Sequence, residues 1–134
     1  MIELEHVYKS YGEGPTALKN INLSVQPGEF VFFTGPSGAG KTTLFRMISA
    51  YDKPTSGRVR VIGHDIQRLN REKAASLRQK IGVIFQVFRL LKDRTVFENV
   101  GLPLLILGES RYLIQTKVMD MLDRVGLRFK KDAY

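Results

Sequence analysis

The sequence contains no cysteine, which excludes disulfide bonds and thiolate metal sites. Its two histidines, His6 and His64, lack the spacing of metal ligands, so we expect both to be surface or structural residues. Long apolar runs are missing as well, because the longest, residues 102–107, is too short to span a bilayer and contains a proline. The first six residues include two acids and do not resemble a secretory signal. These features predict a cytoplasmic protein.

Acidic residues are in deficit, since 13 Asp and Glu against 21 Lys and Arg give a net charge of +8. The basic residues are spread along the chain. Their densest stretch, residues 68–80, is interrupted by Glu72 and small residues, as expected of an exposed helix. No aromatic residues alternate with basic ones as they do on a nucleic-acid-binding surface. We therefore predict no nucleic-acid partner.

Residues 35–42 read Gly-Pro-Ser-Gly-Ala-Gly-Lys-Thr, a complete Walker A phosphate-binding loop. In such a loop the glycines let backbone N–H groups point at phosphate oxygens. The lysine provides a positive charge for the terminal phosphates, and the threonine hydroxyl can ligate Mg²⁺. An apolar strand-like run, residues 30–34, precedes the loop, and a helix-compatible run, residues 43–48, follows it. The sequence therefore predicts binding of a nucleoside triphosphate with Mg²⁺.

Apolar periodicity predicts the remaining elements. Alternating strands are expected at residues 2–7, 21–25 and 59–63, fully apolar strands at 30–34 and 81–85, and a short polar helix at 70–80. Thr95 and Glu98 fit a capping box that starts a helix running toward Gly108, with a kink or break at Pro103. A last helix should run from Ser110 to Gly126. We find no internal repeat.

Several stretches together resemble the ATP-binding cassette family, the ATPase subunits of ABC transporters. The likeness rests on the Walker A loop and on residues 4–11, 18–23, 26–29, 63–66, 81–86 and 90–100, and it covers residues 2–127. Within the family it is strongest toward the cell-division ATPases of the FtsE group. ATPases of lipoprotein-export and macrolide-export systems share much of the pattern, so both assignments stay open.

The resemblance implies an α/β fold, a P-loop NTPase of the ABC ATPase type, present in part. Its N-terminal antiparallel β-subdomain would be followed by the Walker A strand, loop and helix, a Q-loop strand and the start of a helical subdomain. Residues 1–94 would form the β-subdomain and part of the ATP-binding core, and residues 95–126 the start of the helical subdomain. Because only two core strands are expected, apolar strand edges should be exposed.

The resemblance also implies roles for individual residues. Tyr11 matches the aromatic residue that stacks on adenine, and Gln86 matches the glutamine whose oxygen reaches Mg²⁺ and the attacking water. Thr43, after the Mg²⁺ ligand Thr42, would bond the α-phosphate. The predicted nucleotide-binding residues are Tyr11, Gly35, Ser37, Gly38, Ala39, Gly40, Lys41, Thr42 and Thr43; the catalytic residues are Lys41 and Gln86; the metal ligands are Thr42 and Gln86.

For the complete protein the resemblance implies Mg²⁺-dependent hydrolysis of ATP by a homodimer that sandwiches two nucleotides. The ATPase would lie on the inner face of the cell membrane against an FtsX-like integral membrane subunit. Phe88, Leu90 and Leu91 would line the groove for that subunit, although packing in a core is an equally open interpretation.

The family's signature segment and an apolar strand ending in Asp-Glu, the Walker B motif, do not occur among the 134 residues. We therefore expect this chain alone to bind nucleotide weakly and to hydrolyse essentially none. A non-hydrolysing nucleotide-binding scaffold is the alternative for the complete protein.

Overall fold

The strands form one antiparallel sheet with the order β2-β1-β3-β4. They are β1 (Ile2–Lys9), β2 (Leu18–Val25), β3 (Ser56–Val61) and β4 (His64–Asp65). The helices are α1 (Lys41–Ile48), α2 (Arg71–Arg78), α3 (Val96–Ile106) and α4 (Arg111–Arg124), with 3₁₀ turns at Ile66–Arg68 and Arg128–Lys130. The computed structural model describes residues 1–134, which divide into a first unit, Met1–Val83, and a second unit, Ile84–Tyr134.

Strand β1 is central in the sheet and carries a bulge in its middle. Its pairing with β2 shifts register between Leu4 and Val7, and its pairing with β3 shifts between Glu5 and Tyr8. At the bulge, His6 adopts a left-handed backbone with φ of 47°, and its N–H group donates to the side-chain oxygen of Asn22 at 2.9 Å. In a regular strand, residues three positions apart point to opposite faces of the sheet. The bulge adds one residue between Leu4 and Val7, so both side chains are buried on the same face.

The core of the first unit lies between the sheet and the two helices α1 and α2. Alternating side chains of β1 and β3 supply one side of it, as period-two patterning predicts. Met47 of α1 and Leu77 of α2 supply the other, each with no more than 1% of its surface exposed. The core therefore fixes α1, and with it the loop that precedes α1, against the sheet.

The second unit is built on α3 and α4. The two helices come close at Gly101, where an added Cβ would lie 3.2 Å from Cγ2 of Ile114. Helix α3 starts with the predicted capping box of Thr95 and Glu98. It continues through Pro103 to Ile106, so of the predicted kink or break at Pro103 the break does not occur. Helix α4 starts at its predicted cap, Ser110. None of the helices is long and apolar enough to cross a membrane.

Two predicted strands, residues 30–34 and 81–85, are not strands in this structure. A strand is held by hydrogen bonds to a neighbouring strand, and the only sheet consists of β1 to β4. The apolar side chains of residues 30–33 are exposed, with Phe30 at 83%, whereas in residues 81–85 Ile84 is 98% exposed and Ile81, Val83 and Phe85 are half-buried. The strand prediction is therefore wrong for these ten residues, and the exposed strand edges expected from it do not occur. The fold class itself is correct.

Candidate nucleotide-binding site

The Walker A loop connects the exposed segment after β2 to the start of α1. Its glycines take up backbone conformations that other residues rarely adopt, with φ of 152° at Gly35, 80° at Gly38 and 90° at Gly40. The N–H group of Ala39 donates to the carbonyl oxygen of Pro36 at 3.2 Å, which closes a turn within the loop. The loop therefore forms a tight turn directly before the N-terminus of α1.

The first amides of α1 have no partner within the chain. Gly40 is the N-cap and offers no side chain to accept a hydrogen bond, and the first turn holds no acidic residue. The N–H groups of Lys41, Thr42 and Thr43 donate to no acceptor in the protein. Three free amides at the positive end of a helix form an arrangement that suits a phosphate group.

The other three α-helices are capped by their own chain. Asn70 caps α2, Thr95 caps α3 and Ser110 caps α4, each through a side-chain oxygen. In α3 the first two amides have acceptors as well. The N–H group of Val96 donates to the carbonyl oxygen of Ala133 at 2.8 Å, and that of Phe97 donates to the carbonyl oxygen of Lys131 at 2.9 Å. Helix α1 therefore differs from the other three α-helices in that no side-chain oxygen caps its first turn.

Lys41 folds back across the loop. Its Nζ atom donates to the carbonyl oxygens of Gly35 and Pro36, both at 2.7 Å. These two hydrogen bonds hold the ammonium group against the backbone of the loop. The positive charge of Lys41 therefore lies at the start of the Walker A loop.

Gly40 holds the loop against the sheet. A Cβ atom on Gly40 would lie 2.6 Å from Cδ2 of Leu18 and 2.7 Å from the carbonyl oxygen of Ala17. Leu18 is the first residue of β2 and only 5% exposed, so it cannot move aside without disturbing the core. Glycine is required here for close approach as well as for its positive φ.

Tyr11, the predicted adenine-stacking residue, lies two positions beyond the end of β1 with 49% of its surface exposed. Its hydroxyl group donates to Oδ2 of Asp52 at 2.7 Å. Nζ of Lys9 lies 4.7 Å from the centre of the ring. An exposed aromatic ring held at its hydroxyl end is suited to stacking against a flat ligand.

Asp52 was not identified from the sequence, because no local pattern distinguishes it from an ordinary loop acid. Its carboxylate accepts hydrogen bonds from Nζ of Lys9 at 2.6 Å and from the backbone N–H of Lys53 at 2.9 Å, besides that from Tyr11. Burial raises the pKa of Asp52, but these hydrogen bonds and the charge of Lys9 together outweigh it, so the pKa lies below its ordinary value. Asp52 is therefore ionised at neutral pH.

Gln86 lies in the second unit, exposed and outside any helix or strand. Its predicted role at Mg²⁺ and the attacking water therefore stays a prediction. Of the predicted groove residues, Leu91 borders a cavity of about 280 Å³, whereas Phe88 and Leu90 are 84% and 65% exposed. The cavity is lined by Leu91, Arg94, Phe97, Glu98, Gly101, Leu102, Leu105 and Ile114.

The residues at the loop fit Mg²⁺ bound together with a nucleotide. The chain has no cluster of three or more acidic or histidine side chains that could hold a metal by itself. Magnesium commonly takes one or two protein oxygens and completes its shell with phosphate oxygens and water. Thr42, exposed on the first turn of α1, offers a hydroxyl oxygen that fits this mode of binding.

Comparison with known proteins finds one family model and several ATP-binding proteins that resemble this chain. The ABC transporter family model matches residues 18–134. The cell division ATP-binding protein FtsE of Escherichia coli K12 is 47% identical over 127 residues, and FtsE of Bacillus subtilis 168 is 44% identical over 130 residues. These matches cover 95% and 97% of this chain but only 57% of each relative. The chain thus spans little more than half the length of these relatives.

A methionine import ATP-binding protein, MetN of Chromohalobacter salexigens, is 48% identical over 137 residues, a match that covers all of this chain and 40% of MetN. Among solved structures, the dimeric ATP-binding cassette MJ0796, in a post-hydrolysis state with ADP and Pi, has a TM-score of 0.87 at 36% identity. The match covers 98% of this chain and 60% of that one. The cassette cbiO1 of Clostridium perfringens has a TM-score of 0.83 at 30% identity. The Walker A loop, the fold and these relatives together establish that the chain belongs to the ABC transporter family of ATP-binding cassettes.

Proposed function

We propose that the chain binds ATP with Mg²⁺ at residues 35–42. The observation that carries this proposal is the set of three free amides at the start of α1, together with the ammonium group of Lys41, which is bonded to the backbone of the same loop. A triphosphate supplies the acceptors that these donors lack, and its charge suits both the ammonium group and the helix end. The match to ATP-binding cassettes supports ATP as the nucleotide.

Each predicted site residue has a role in this proposal. The backbone of Gly35, Ser37, Gly38, Ala39 and Gly40 surrounds the phosphates. Lys41 neutralises the terminal phosphates, Thr42 ligates the metal and Thr43 bonds the α-phosphate. Bound Mg²⁺ supplies charge neutralisation of the phosphate oxygens.

Tyr11 stacks on the base in the same proposal. Stacking discriminates weakly between bases, because every base offers a flat π-face. We further propose that Gln86 orients the attacking water in the complete protein.

For the complete protein we propose ATP hydrolysis to ADP and phosphate by a homodimer attached to a membrane subunit. The FtsE relatives favour a role in bacterial cell division, with an FtsX-like integral membrane subunit as the partner and the inner face of the cell membrane as the location. The cavity beside α3 and α4 is the proposed contact for that subunit.

The 48% identity to the methionine importer MetN favours a second candidate, the ATPase of a transport system. Co-expression of the complete gene product with an FtsX-type subunit and with a transporter-type subunit separates the two. Stable copurification and stimulated ATP turnover with only the FtsX-type subunit support cell division. The opposite pattern supports transport, and no turnover with either subunit supports the non-hydrolysing scaffold.

Calorimetric titration of Mg·ATP into the chain tests nucleotide binding. We expect Lys41→Ala to weaken binding roughly tenfold to hundredfold, since a charge-assisted hydrogen bond contributes about 1.5–3 kcal/mol. Lys73→Ala is the matched control, because it removes the same charge from an exposed position on α2. Equal binding by all three folded proteins would contradict the proposal.

We also propose that these 134 residues alone hydrolyse ATP at least about 10⁴-fold more slowly than a complete cassette. A positioned general base contributes about 10²–10⁴ to such a rate, and each fixed charge-stabilising donor about 10²–10³. Phosphate release by the chain and by the complete gene product at equal concentration measures the difference. Comparable turnover would contradict the proposal.

A further inference from the structure

The side chain of Asp52 connects two parts of the first unit that lie far apart in sequence. It follows the end of α1 and accepts hydrogen bonds from Lys9 at 2.6 Å and from the hydroxyl group of Tyr11 at 2.7 Å. Nε of Arg46 lies 3.8 Å from the same carboxylate. Only 16% of the Asp52 side chain is exposed, so these bonds are partly shielded from water. The segment after the Walker A helix is thereby bonded to the residues that end β1.

Lys9 restrains the same tyrosine from a second direction. Its ammonium group also donates to the carbonyl oxygen of Lys53 at 2.7 Å, which fixes its position. From there it lies 4.7 Å from the centre of the Tyr11 ring, within the range of a cation–π interaction. One side of the ring faces this cation, and about half of the residue remains exposed.

Held at its hydroxyl group and on one face, Tyr11 does not rotate as an unrestrained surface side chain would. Immobilising a free side chain on binding weakens affinity by roughly twofold to tenfold. A ring that is fixed beforehand avoids that loss. The arrangement also orients the exposed part of the ring relative to α1, the helix that begins at the Walker A loop.

We propose that Asp52 is a positioning residue for the nucleotide base: its carboxylate holds Tyr11 so that the exposed part of the ring stacks on the base of the bound nucleotide. This inference rests on the proposed ATP site. Asp52 does not touch the nucleotide, and it acts through the hydroxyl group of Tyr11.

The test compares Mg·ATP with Mg·tripolyphosphate, which has the phosphates without a base, by calorimetry. Asp52→Asn and Tyr11→Phe should each weaken ATP binding about threefold to tenfold and leave tripolyphosphate binding unchanged. In the double variant, ATP binding should be at most about twofold weaker than in either single variant, because both substitutions act on the same hydrogen bond: Asp52→Asn removes its charged acceptor and Tyr11→Phe removes its donor. Tyr11→Phe keeps the ring and the Lys9–Asp52 ion pair, so it tests the inference even if Asp52→Asn fails to fold.

Asp65→Asn is the matched control, since Asp65 is a half-buried acid of the same unit with 23% of its side chain exposed. It should bind both ligands as the unsubstituted chain does. Unchanged ATP binding by Tyr11→Phe, an equal loss for both ligands, or effects that multiply in the double variant would overturn the inference. If the chain binds neither ligand, or binds both equally well after Lys41→Ala, the proposed ATP site fails and the inference fails with it.

Discussion

Gly57 in β3 lies directly against the backbone carbonyl of His6 in the bulge of β1, with no room for a side chain between them. A Cβ atom on Gly57 would overlap with that carbonyl group, and Gly57 has a φ of +85°. The bulge and the glycine fit one another: the strand that carries Lys9 and leads to Tyr11 can pair with β3 only because position 57 has no side chain.

Gly57→Ala should lower the free energy of unfolding by about 2–4 kcal/mol. Two effects contribute, because alanine is unfavourable at a positive φ and its Cβ atom would overpack the contact with His6. Urea denaturation measures the change. Gly63→Ala is the control, because Gly63 has a φ of +76° and no atom within 4 Å of an added Cβ. Gly63→Ala should lower the free energy of unfolding by only about 1–2 kcal/mol. Equal losses in the two variants would show that close approach to His6 is not the cause.

Gly40→Ala should weaken Mg·ATP binding more than about tenfold. The added Cβ would meet Leu18 and Ala17, and moving the loop away from the sheet displaces the free amides of α1. Calorimetry measures the affinity, and circular dichroism checks that the variant is folded. Gly28→Ala also replaces a glycine of positive φ, but in open space, and should bind normally. Normal binding by Gly40→Ala would refute this account of the loop.

Thr95→Ala should destabilise the second unit by about 1 kcal/mol, because the N-cap side chain accepts from the N–H of Glu98. The measurement is the unfolding free energy in urea. Thr116→Ala removes the same side chain from the middle of α4, where it bonds only the preceding turn, and should change stability little. If the two variants lose equal stability, the cap is not what holds the start of α3.

Asp52 makes part of the stability of the first unit depend on pH. Its pKa in the folded chain lies below the unfolded value of about 4, so its contribution is present above about pH 4 and is lost as pH falls through the depressed pKa. The unfolding free energy of the chain should therefore exceed that of Asp52→Asn at pH 7, and the difference should shrink in acid. Lys9, Arg46 and Tyr11 face this carboxylate. A difference that stays constant from pH 7 to acid would contradict this account.

The local pattern of residues was sufficient to predict where several helices begin. The spacing of Thr95 and Glu98 predicted a capping box that the structure contains, and Ser110 begins α4 as expected. Among the apolar residues in the second half of α4 and at its C-cap, however, Val118 and Leu122 are buried while Met121 and Val125 are exposed. Periodicity defines the side of a helix that can be buried, but the neighbour, here α3, decides how much of that side is covered.

The amino-acid sequence by itself determined the family, the Walker A loop and most of the helices and strands, because each depends on residues a few positions apart. Only the tertiary structure decided that residues 30–34 and 81–85 form no paired strands, since pairing needs a partner elsewhere in the chain. It also decided that Asp52 bonds Lys9 and Tyr11, which precede it by 43 and 41 residues. Contacts over such separations depend on how the sheet and α1 pack, and no local pattern of residues encodes them.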